Sequence, residues 1–588
     1  MNTSSAGRPS RPSRPVRLVH FLGLVLLGGL IGATAALLAM AFVAGVLWLN
    51  DLLWISADSR RHAASSAVLV IATLTVPTLG GLLVGQFHRL LAERRAQGPS
   101  DVIAAVQTRR GRLPIRASIL STLSALLALG SGASVGQYGP LVHLGGTLGS
   151  LAARLLRLSR VGDNIGIACG VAAAIAATFN APLAGIVFAH EVVLRHYALR
   201  AFAPIAAAAI VAHVLANSLQ ASGPLLRIGE TAIPHAWEYA AFLVLGGLGA
   251  LVAGAYMGAI LAVERQASRL PVPVSLRPAL AGAMLGVTAL WVPQILGIGQ
   301  ETLRLATVAG AYALDDLALL LILKLAATAL CLGLGFSGGV FSPALLIGTL
   351  FGALYGHVTL MVVGASQETF VFYAVCGMLA VTAPVIGAPL ASLLIVFELT
   401  GNYALTTAAL ASVTLASPIS AQLFGRSLFD IQLARRGLDL SAGRSRAMLK
   451  QARVDVHLTR DCVTLSPQTS VVVAVRHICH ADHAEAQLAD ADGRHCGSVT
   501  LASLEAARED GHGDVPVADF ISPARPTLAP DDSLWDAMAA LEHFSGEALA
   551  MVDHEADGIF LGVVYEDSIA RAFMRSSNEL RDEENSHG

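Results

Sequence analysis

Charged side chains are scarce in this sequence. Of its 588 residues, 14% are Asp, Glu, Lys or Arg, against about 25% in an ordinary soluble domain. That shortage excludes a soluble globular chain, which needs charge to cover its surface. Cysteine is nearly as sparse. Cys169, Cys331, Cys376, Cys462, Cys479 and Cys496 lack the paired spacings of a disulfide framework or a tetrahedral zinc site, and read as buried or cytosolic thiols. A net charge of −2 identifies no partner by itself.

What remains is apolar. Hydrophobic residues make up 54% of the chain and the mean hydropathy is +0.63, which reads as a polytopic membrane protein. Arg8, Arg11, Arg14 and Arg17 precede an apolar run from Phe21 to Leu49. Basic residues ahead of a first span predict a cytoplasmic N-terminus. The run exceeds the roughly 7–15-residue core of a secretory signal, so it is read as a retained, tilted span. Residues 1–15, rich in Ser, Arg and Pro, are expected to be disordered. Charge-poor segments continue to Phe424. From about Ala452, charges, Asp-Gly pairs and histidines appear and apolar runs shrink to strand length, marking a soluble C-terminal domain.

Two internal repeats organise the chain. Ala181-Pro-Leu-Ala-Gly-Ile-Val-Phe-Ala-His-Glu191 matches Ala388-Pro-Leu-Ala-Ser-Leu-Leu-Ile-Val-Phe-Glu398, with the glutamate at the same offset. Upstream of each lies a Gly/Pro break in an uncharged stretch: Gly136-Gln-Tyr-Gly-Pro140 and Gly339-Val-Phe-Ser-Pro343. Both matches recur at roughly 200 residues, so the membrane domain is two related halves. In the soluble part, Thr464-Leu-Ser-Pro467 recurs as Thr527-Leu-Ala-Pro530, and the glycine-led strands Gly497-Ser-Val-Thr500 and Gly562-Val-Val-Tyr565 correspond.

A broken helix inside lipid needs a reason, because unpaired backbone N–H groups cost several kcal/mol there. Matched breaks in corresponding halves point to a transport site near mid-membrane. Pro140 and Pro343 suit the first turn of a new helix. Two helix N-termini would then face a shared centre, where free N–H groups and partial positive charge favour an anion. Fixed basic side chains, which would hold the ion too tightly for fast passage, are not needed. The alternative is that Gly and Pro serve close helix packing.

These motifs resemble the CLC family of chloride channels and chloride/proton exchangers. Gly136-Gln-Tyr-Gly-Pro140 resembles the family's G[KR]EGP loop and Gly339-Val-Phe-Ser-Pro343 its G-x-F-x-P loop. The segments Phe179–Glu191 and Val396–Tyr403 resemble further signatures, and the C-terminal repeat resembles paired CBS modules. The resemblance implies an all-α polytopic membrane domain with two inverted-topology repeats (the CLC fold) and an α/β cytoplasmic CBS pair. It also implies a homodimer with one anion pathway per subunit.

The departures from the family pattern carry the chemistry. The family's glutamate in the first loop gates the outer end of the pathway and takes up protons. Here that position is Tyr138. A glutamate, with a solution pKa of about 4.3, competes with chloride when ionised, whereas tyrosine, near 10, stays neutral. Tyr138 is therefore expected to gate by blocking or by donating its O–H, without cycling protons. Family exchangers often carry an inner glutamate where this chain has Val192. Glu191 is expected to make structural hydrogen bonds at a helix end, as its repeat counterpart Glu398 would. A functional role for Glu191 stays open. By alignment, Gln97 replaces the serine of the family's GSGIP loop, with Gly98 beside it and Ser100 as fallback. Phe429 replaces a late tyrosine and lacks its hydroxyl. Backbone amides of Gly136, Gln137, Tyr138, Gly139, Val340 and Phe341 complete the expected pore.

Some features are decoys. His190-Glu191 begins like a zinc-protease motif, but position 194 is leucine, so the second ligand of HExxH is missing. His143 is expected to be packed or solvated, and Lys324 to snorkel or pair with a carboxylate. CBS pairs can bind adenine nucleotides through an aspartate after the glycine-led strand. Here those positions are Ser503 and Ser568, with Asp567 one residue away, and a structural tail is an equal reading.

The expected domains are 1–15, a membrane domain over 16–440 with halves near 16–225 and 237–440, a linker over 441–451, CBS units over 452–512 and 513–576, and a disordered tail over 577–588. The expected function is a passive, voltage- or anion-gated chloride channel without proton coupling. It is not an enzyme, has no cofactor or nucleic-acid partner, and sits in a bacterial inner membrane with both termini cytoplasmic. Alternatives are a chloride/proton antiporter using another titratable group and a CBS-regulated membrane sensor.

Overall fold

The computed structural model describes residues 14–584, apart from 63–64, 109–111, 220–233, 364–368, 442, 482, 523–524, 543, 545 and 555. It divides into two compact units, Met1–Gly437 and Leu438–Gly588. Among the described residues, 8 helices are long and apolar enough to cross a membrane.

The first half of the membrane unit comprises α1 (Arg14–Leu52), α2 (Ala57–Arg61), α3 (Ser66–Arg89), α4 (Pro99–Gln107), α5 (Ile115–Gly130), α6 (Tyr138–Leu155), α7 (Arg160–Phe179), α8 (Pro182–Phe188) and α9 (Leu199–Leu219). The second comprises α10 (Ala236–Arg269), α11 (Arg277–Ala289), α12 (Gln300–Ala306), α13 (Leu314–Gly333), α14 (Phe341–Val363), α15 (Phe370–Ile386), α16 (Pro389–Thr400), α17 (Tyr403–Phe424) and α18 (Leu428–Ala434). Packing partners repeat between the halves. As α6 packs on α7, α7 on α9 and α1 on α9, so α14 packs on α15, α15 on α17 and α10 on α17.

Sequence explains the breaks. The uncharged stretch around 117–153 splits into α5 and α6 at the Gly/Pro loop. The stretch 163–195 splits because Asn180 takes a left-handed φ of 56° and Pro182 opens α8. Gly387, with φ of 69°, and Pro389 do the same between α15 and α16. A left-handed residue followed by proline stops one helix and starts the next. Beyond α8 the chain runs on as a π-helical turn, Ala189–Leu194, which holds Glu191.

Glycine sets how closely the inner helices approach. A Cβ on Gly149 of α6 would lie 1.9 Å from the Gly166 carbonyl oxygen of α7, and one on Gly377 of α15 would lie 2.4 Å from Gly352 Cα of α14. Without a hydrophobic drive between helices in lipid, such backbone contact supplies the association. Glu238 is fully buried. It caps α10 through the His235 amide at 2.7 Å and accepts from the Tyr373 hydroxyl at 3.0 Å.

Lys324 differs from expectation. It neither snorkels nor meets a carboxylate. It is 1% exposed, and its ammonium donates to the carbonyls of Ile295 and Gly297 at 3.0 and 2.8 Å. The irregular turn before α12 leaves those carbonyls free to receive it.

The C-terminal unit holds two β-α-β-β-α arrangements. In the first, β1 (Val463–Leu465) pairs parallel with β2 (Glu485–Ala489), and β2 antiparallel with β3 (His495–Thr500). In the second, β4 (Ala548–Asp553) pairs antiparallel with β5 (Ile559–Tyr565), and Leu528 bridges in parallel to Met551. Helices α19 (Arg444–Gln451), α20 (Val471–His480), α21 (Leu501–Glu509), α22 (Leu534–Leu541) and α23 (Glu566–Glu584) cover the strands. Two boundaries differ from the sequence reading. The 441–451 linker contains α19, and α23 continues past 577, where a tail was expected. Residues 1–13 and 585–588 lie outside the described residues, while Arg14 and Pro15 already belong to α1. All six cysteines are free, with Cys169, Cys331 and Cys376 buried.

Candidate functional site

The two broken loops meet. Gly136 and Gly339 each donate an amide to the other's carbonyl, both at 2.7 Å, as an antiparallel bridge. A Cβ on Gly139 would lie 2.8 Å from Gly339 Cα, so glycine is required at this crossing. The Gly136 amide is consumed by the bridge, which corrects the expectation that it serves as a free donor. The first bonds inside the new helices are Leu141 N to Gln137 O and Ala344 N to Val340 O. The amides of Tyr138, Gly139, Phe341 and Ser342 precede those bonds and have no partner within their helices. Pro140 and Pro343 carry no N–H. Two N-termini thus open beside one crossing, an arrangement suited to an anion.

Serines pin the loops. Ser134 Oγ meets Thr328 Oγ1 of α13 at 3.1 Å, and Ser337 Oγ meets Ser124 Oγ of α5 at 2.6 Å. Each half's helix thereby holds the other half's loop.

The Tyr138 ring stacks on Phe179 with centroids 3.8 Å apart and meets Phe341 edge-on at 5.3 Å. All three rings are buried. An offset ring pair contributes about 1 kcal/mol beyond area burial, so Tyr138 is held at the start of α6 in an aromatic cluster with Phe179 and Phe341.

On one side lies a cavity of about 260 Å³. Its wall brings together Gln97, Gly98, Ser100, Val340 and Phe429, five of the expected pore residues. Gly136, Gln137, Tyr138, Gly139 and Phe341 do not line it. They form the buried crossing, where Gly136 and Gly139 approach Gly339, Tyr138 and Phe341 share ring contact, and Gln137 is 3% exposed. The Gln97 amide N donates to Ser121 Oγ at 2.9 Å, and its side-chain Oε1 is buried without a protein partner. Asp101 is gripped by Arg95 at 3.0 and 2.6 Å and by Arg436 at 3.0 Å. Phe429, 6% exposed, brings no hydroxyl.

Three residues escaped the sequence reading. Ser342 Oγ is buried and unpartnered in the first turn of α14. The fully buried Tyr256 donates its hydroxyl to Val340 O at 3.3 Å. His88 lines the cavity. Tyr256 and His88 belong to no repeated motif, and Ser342 occupies only the variable x before proline in G-x-F-x-P.

Glu191 and Glu398 both make the helix-end hydrogen bonds expected of them. The Glu191 carboxylate accepts from Leu390 N and Ala391 N at 3.0 and 2.8 Å, and Glu398 accepts from Leu183 N and Ala184 N at 2.9 and 2.8 Å. Val192 is buried, and His143 is buried in the second turn of α6. No cluster of three metal-ligating side chains occurs among the described residues.

In the C-terminal unit a cavity of about 340 Å³ is lined by His495, Cys496, Arg525, Thr527 and Phe544, among others. Ser503, Ser568 and Asp567 are not on its wall. Ser503 Oγ bonds the Thr500 carbonyl at 2.8 Å, and Asp567 pairs with Arg571 at 2.8 Å.

A family model described as voltage gated chloride channel matches residues 78–421. The chain belongs to the voltage-gated chloride channel (CLC) family. Among family relatives it is 33% identical over 389 residues to a putative chloride channel protein ClcB-like from Ralstonia nicotianae, covering 65% of this chain and 89% of that protein. It is 29% identical over 415 residues to the voltage-gated ClC-type chloride channel ClcB of an Escherichia coli O81 strain, covering 70% and 99%. The CLC fold is shared with a slow cyanobacterial Cl−/H+ antiporter at TM-score 0.64 and 22% identity, covering 70% and 97%. It is also shared with a eukaryotic CLC transporter at TM-score 0.61 and 21% identity, covering 94% and 98%. CLC membership makes the chain a multi-pass integral membrane channel or transporter and not an enzyme.

Proposed function

We propose that this CLC protein is a homodimeric, passive anion channel, gated by voltage or by the anion, in which chloride or a related anion moves without protons. The observation that carries the reading is Tyr138, stacked 3.8 Å from Phe179 at the head of α6, where proton exchange would need a carboxylate. In this reading Tyr138 is the gate. The amides of Tyr138, Gly139, Val340 and Phe341, with Gln137, form the central site, and Gln97, Gly98, Ser100 and Phe429 line the inner vestibule. Val192 offers no relay for a proton. The two β-α-β-β-α arrangements fit a CBS pair. Because Ser503, Ser568 and Asp567 stand outside its cavity, we assign it a structural role rather than adenine-nucleotide sensing. Basic residues ahead of α1 and bacterial relatives support an inner-membrane location with cytoplasmic termini.

Chloride and proton fluxes measured together in liposomes test this. Chloride should leave down its gradient with no accompanying proton uptake. Proton uptake in fixed ratio to chloride would instead support a second reading, an antiporter using another titratable group, toward which the antiporter among the fold's solved relatives points.

A further inference from the structure

The inner vestibule contains an imidazole that the anion pathway as proposed leaves unused. His88 stands in the last turn of α3, is 4% exposed and lines the cavity beside Gln97 and Val340. Its Nε2 lies 3.0 Å from Ser337 Oγ, which in turn lies 2.6 Å from Ser124 Oγ. The opposing backbone is close. A Cβ on Gly335 would lie 3.9 Å from His88 Cε1. Ser337 is two residues before Gly339, so the ring is held against the same loop that supplies the Val340 and Phe341 amides.

We propose that His88 is a titratable residue of the anion pathway, fixed by Ser337 and Ser124, whose protonation draws anions into the vestibule. This rests on the reading of the vestibule as one end of the pathway. Histidine is the side chain whose charge changes most readily on acidification, and burial of an imidazole moves that change toward lower pH. Once protonated, the ring donates from Nε2 to Ser337, whose hydroxyl then donates to Ser124, so the chain of hydrogen bonds remains intact. The added positive charge sits on a partly dehydrated wall, where it is screened less than in bulk water.

Other charges share the cavity. They are Arg94 and Arg95 after α3, Asp101 of α4, Glu264 of α10, Arg277 of α11 and Arg436 after α18. Asp101 is already paired with two arginines, and Glu264 with Arg435 at 3.2 Å. From α5 and the 335–340 loop, the cavity wall receives only hydroxyl, apolar and backbone groups. His88 is therefore the group able to add charge without first losing a partner.

The test is chloride flux in liposomes with the same buffer on both sides, from about pH 7.5 down to about pH 3.5. Flux of the unmodified protein should rise about threefold with acidification. His88→Gln, which keeps a donor for Ser337, should lower that rise to the residual contributed by Asp101 and Glu264. His88→Lys should give high flux with the same flattened profile. If either variant keeps the full acid response, or the unmodified protein shows none, the proposal is overturned. Proton movement recorded in the same vesicles separates the two readings. Coupled proton uptake counts against the passive channel, whereas an unchanged pH profile in passive flux counts against His88 alone.

Discussion

Glu191 and Glu398 cap each other's repeats. Glu191 sits in the first half and closes the head of α16, and Glu398 sits in the second half and closes the head of α8. Each carboxylate accepts two amides that no intrahelical carbonyl can reach. The pair ties the two halves together through backbone amides.

Removing either carboxylate should loosen that junction. Glu398→Ala leaves two orphaned amides and should cost about 2–4 kcal/mol of stability. Glu398→Gln, which can still accept one bond, should cost about half as much. Detergent-phase thermal unfolding reads the order: wild type, then Gln, then Ala. If Glu191→Gln altered chloride flux more than it altered unfolding, a transport role for that carboxylate would replace the structural one.

The aromatic cluster gives a second expectation. Tyr138→Ala should raise chloride flux several-fold, since the stacking it removes is of the order of 1 kcal/mol. Ser342→Ala should leave unfolding unchanged and weaken selection of chloride over larger, weakly hydrated anions, because it deletes an unpartnered buried hydroxyl beside Phe341. Current amplitudes in a planar bilayer measure the first and reversal potentials the second. Tyr138→Ala with wild-type flux would put that ring off the pathway.

Glycine substitutions separate packing from chemistry. Gly149→Ala drives a methyl toward the Gly166 carbonyl at 1.9 Å, and should cost at least about 2 kcal/mol and lower the yield of folded protein. Gly258→Ala meets nothing within 4 Å, and should be neutral or slightly stabilising. Equal yields for the two would contradict the close α6–α7 approach.

The C-terminal unit has a pH signature of its own. Burial holds the His495 imidazole below its ordinary range, while its Nε2 meets Gln487 Oε1 at 3.0 Å. The unfolded chain therefore takes up the proton first. Stability should be complete above about pH 6.5 and fall as the pH drops below that value. Unfolding of the full chain followed by a probe in 438–588 should show this loss, and His495→Gln should reduce it.

Much of the site was legible because it is written twice. The paired Gly/Pro loops and the paired glutamates recur at one spacing; the structure joins the two loops, and each glutamate makes hydrogen bonds at a helix end. Gln97, Ser100, Val340 and Phe429 were found by motif, and they share one cavity. Lys324 was misjudged because its partners are loop carbonyls, which leave no trace in residue identity. The Gly136 amide was misassigned because a cross-loop bridge consumes it. His88, Ser342 and Tyr256 were invisible for the same reason: single polar residues in apolar helices acquire meaning only from what they face.

The sequence by itself determined that this chain lives in lipid, that its membrane part is doubled, and that its helices break at matched Gly/Pro loops. Composition, repetition and the conformational limits of Gly and Pro are local properties, so they can be read in one dimension. Only the tertiary structure decided which amides stay free, which carboxylate caps which helix, and that Tyr138 lies stacked against Phe179. Those outcomes depend on contacts between residues distant in the chain, and in an interior packed backbone to backbone, distances of a few tenths of an ångström settle them.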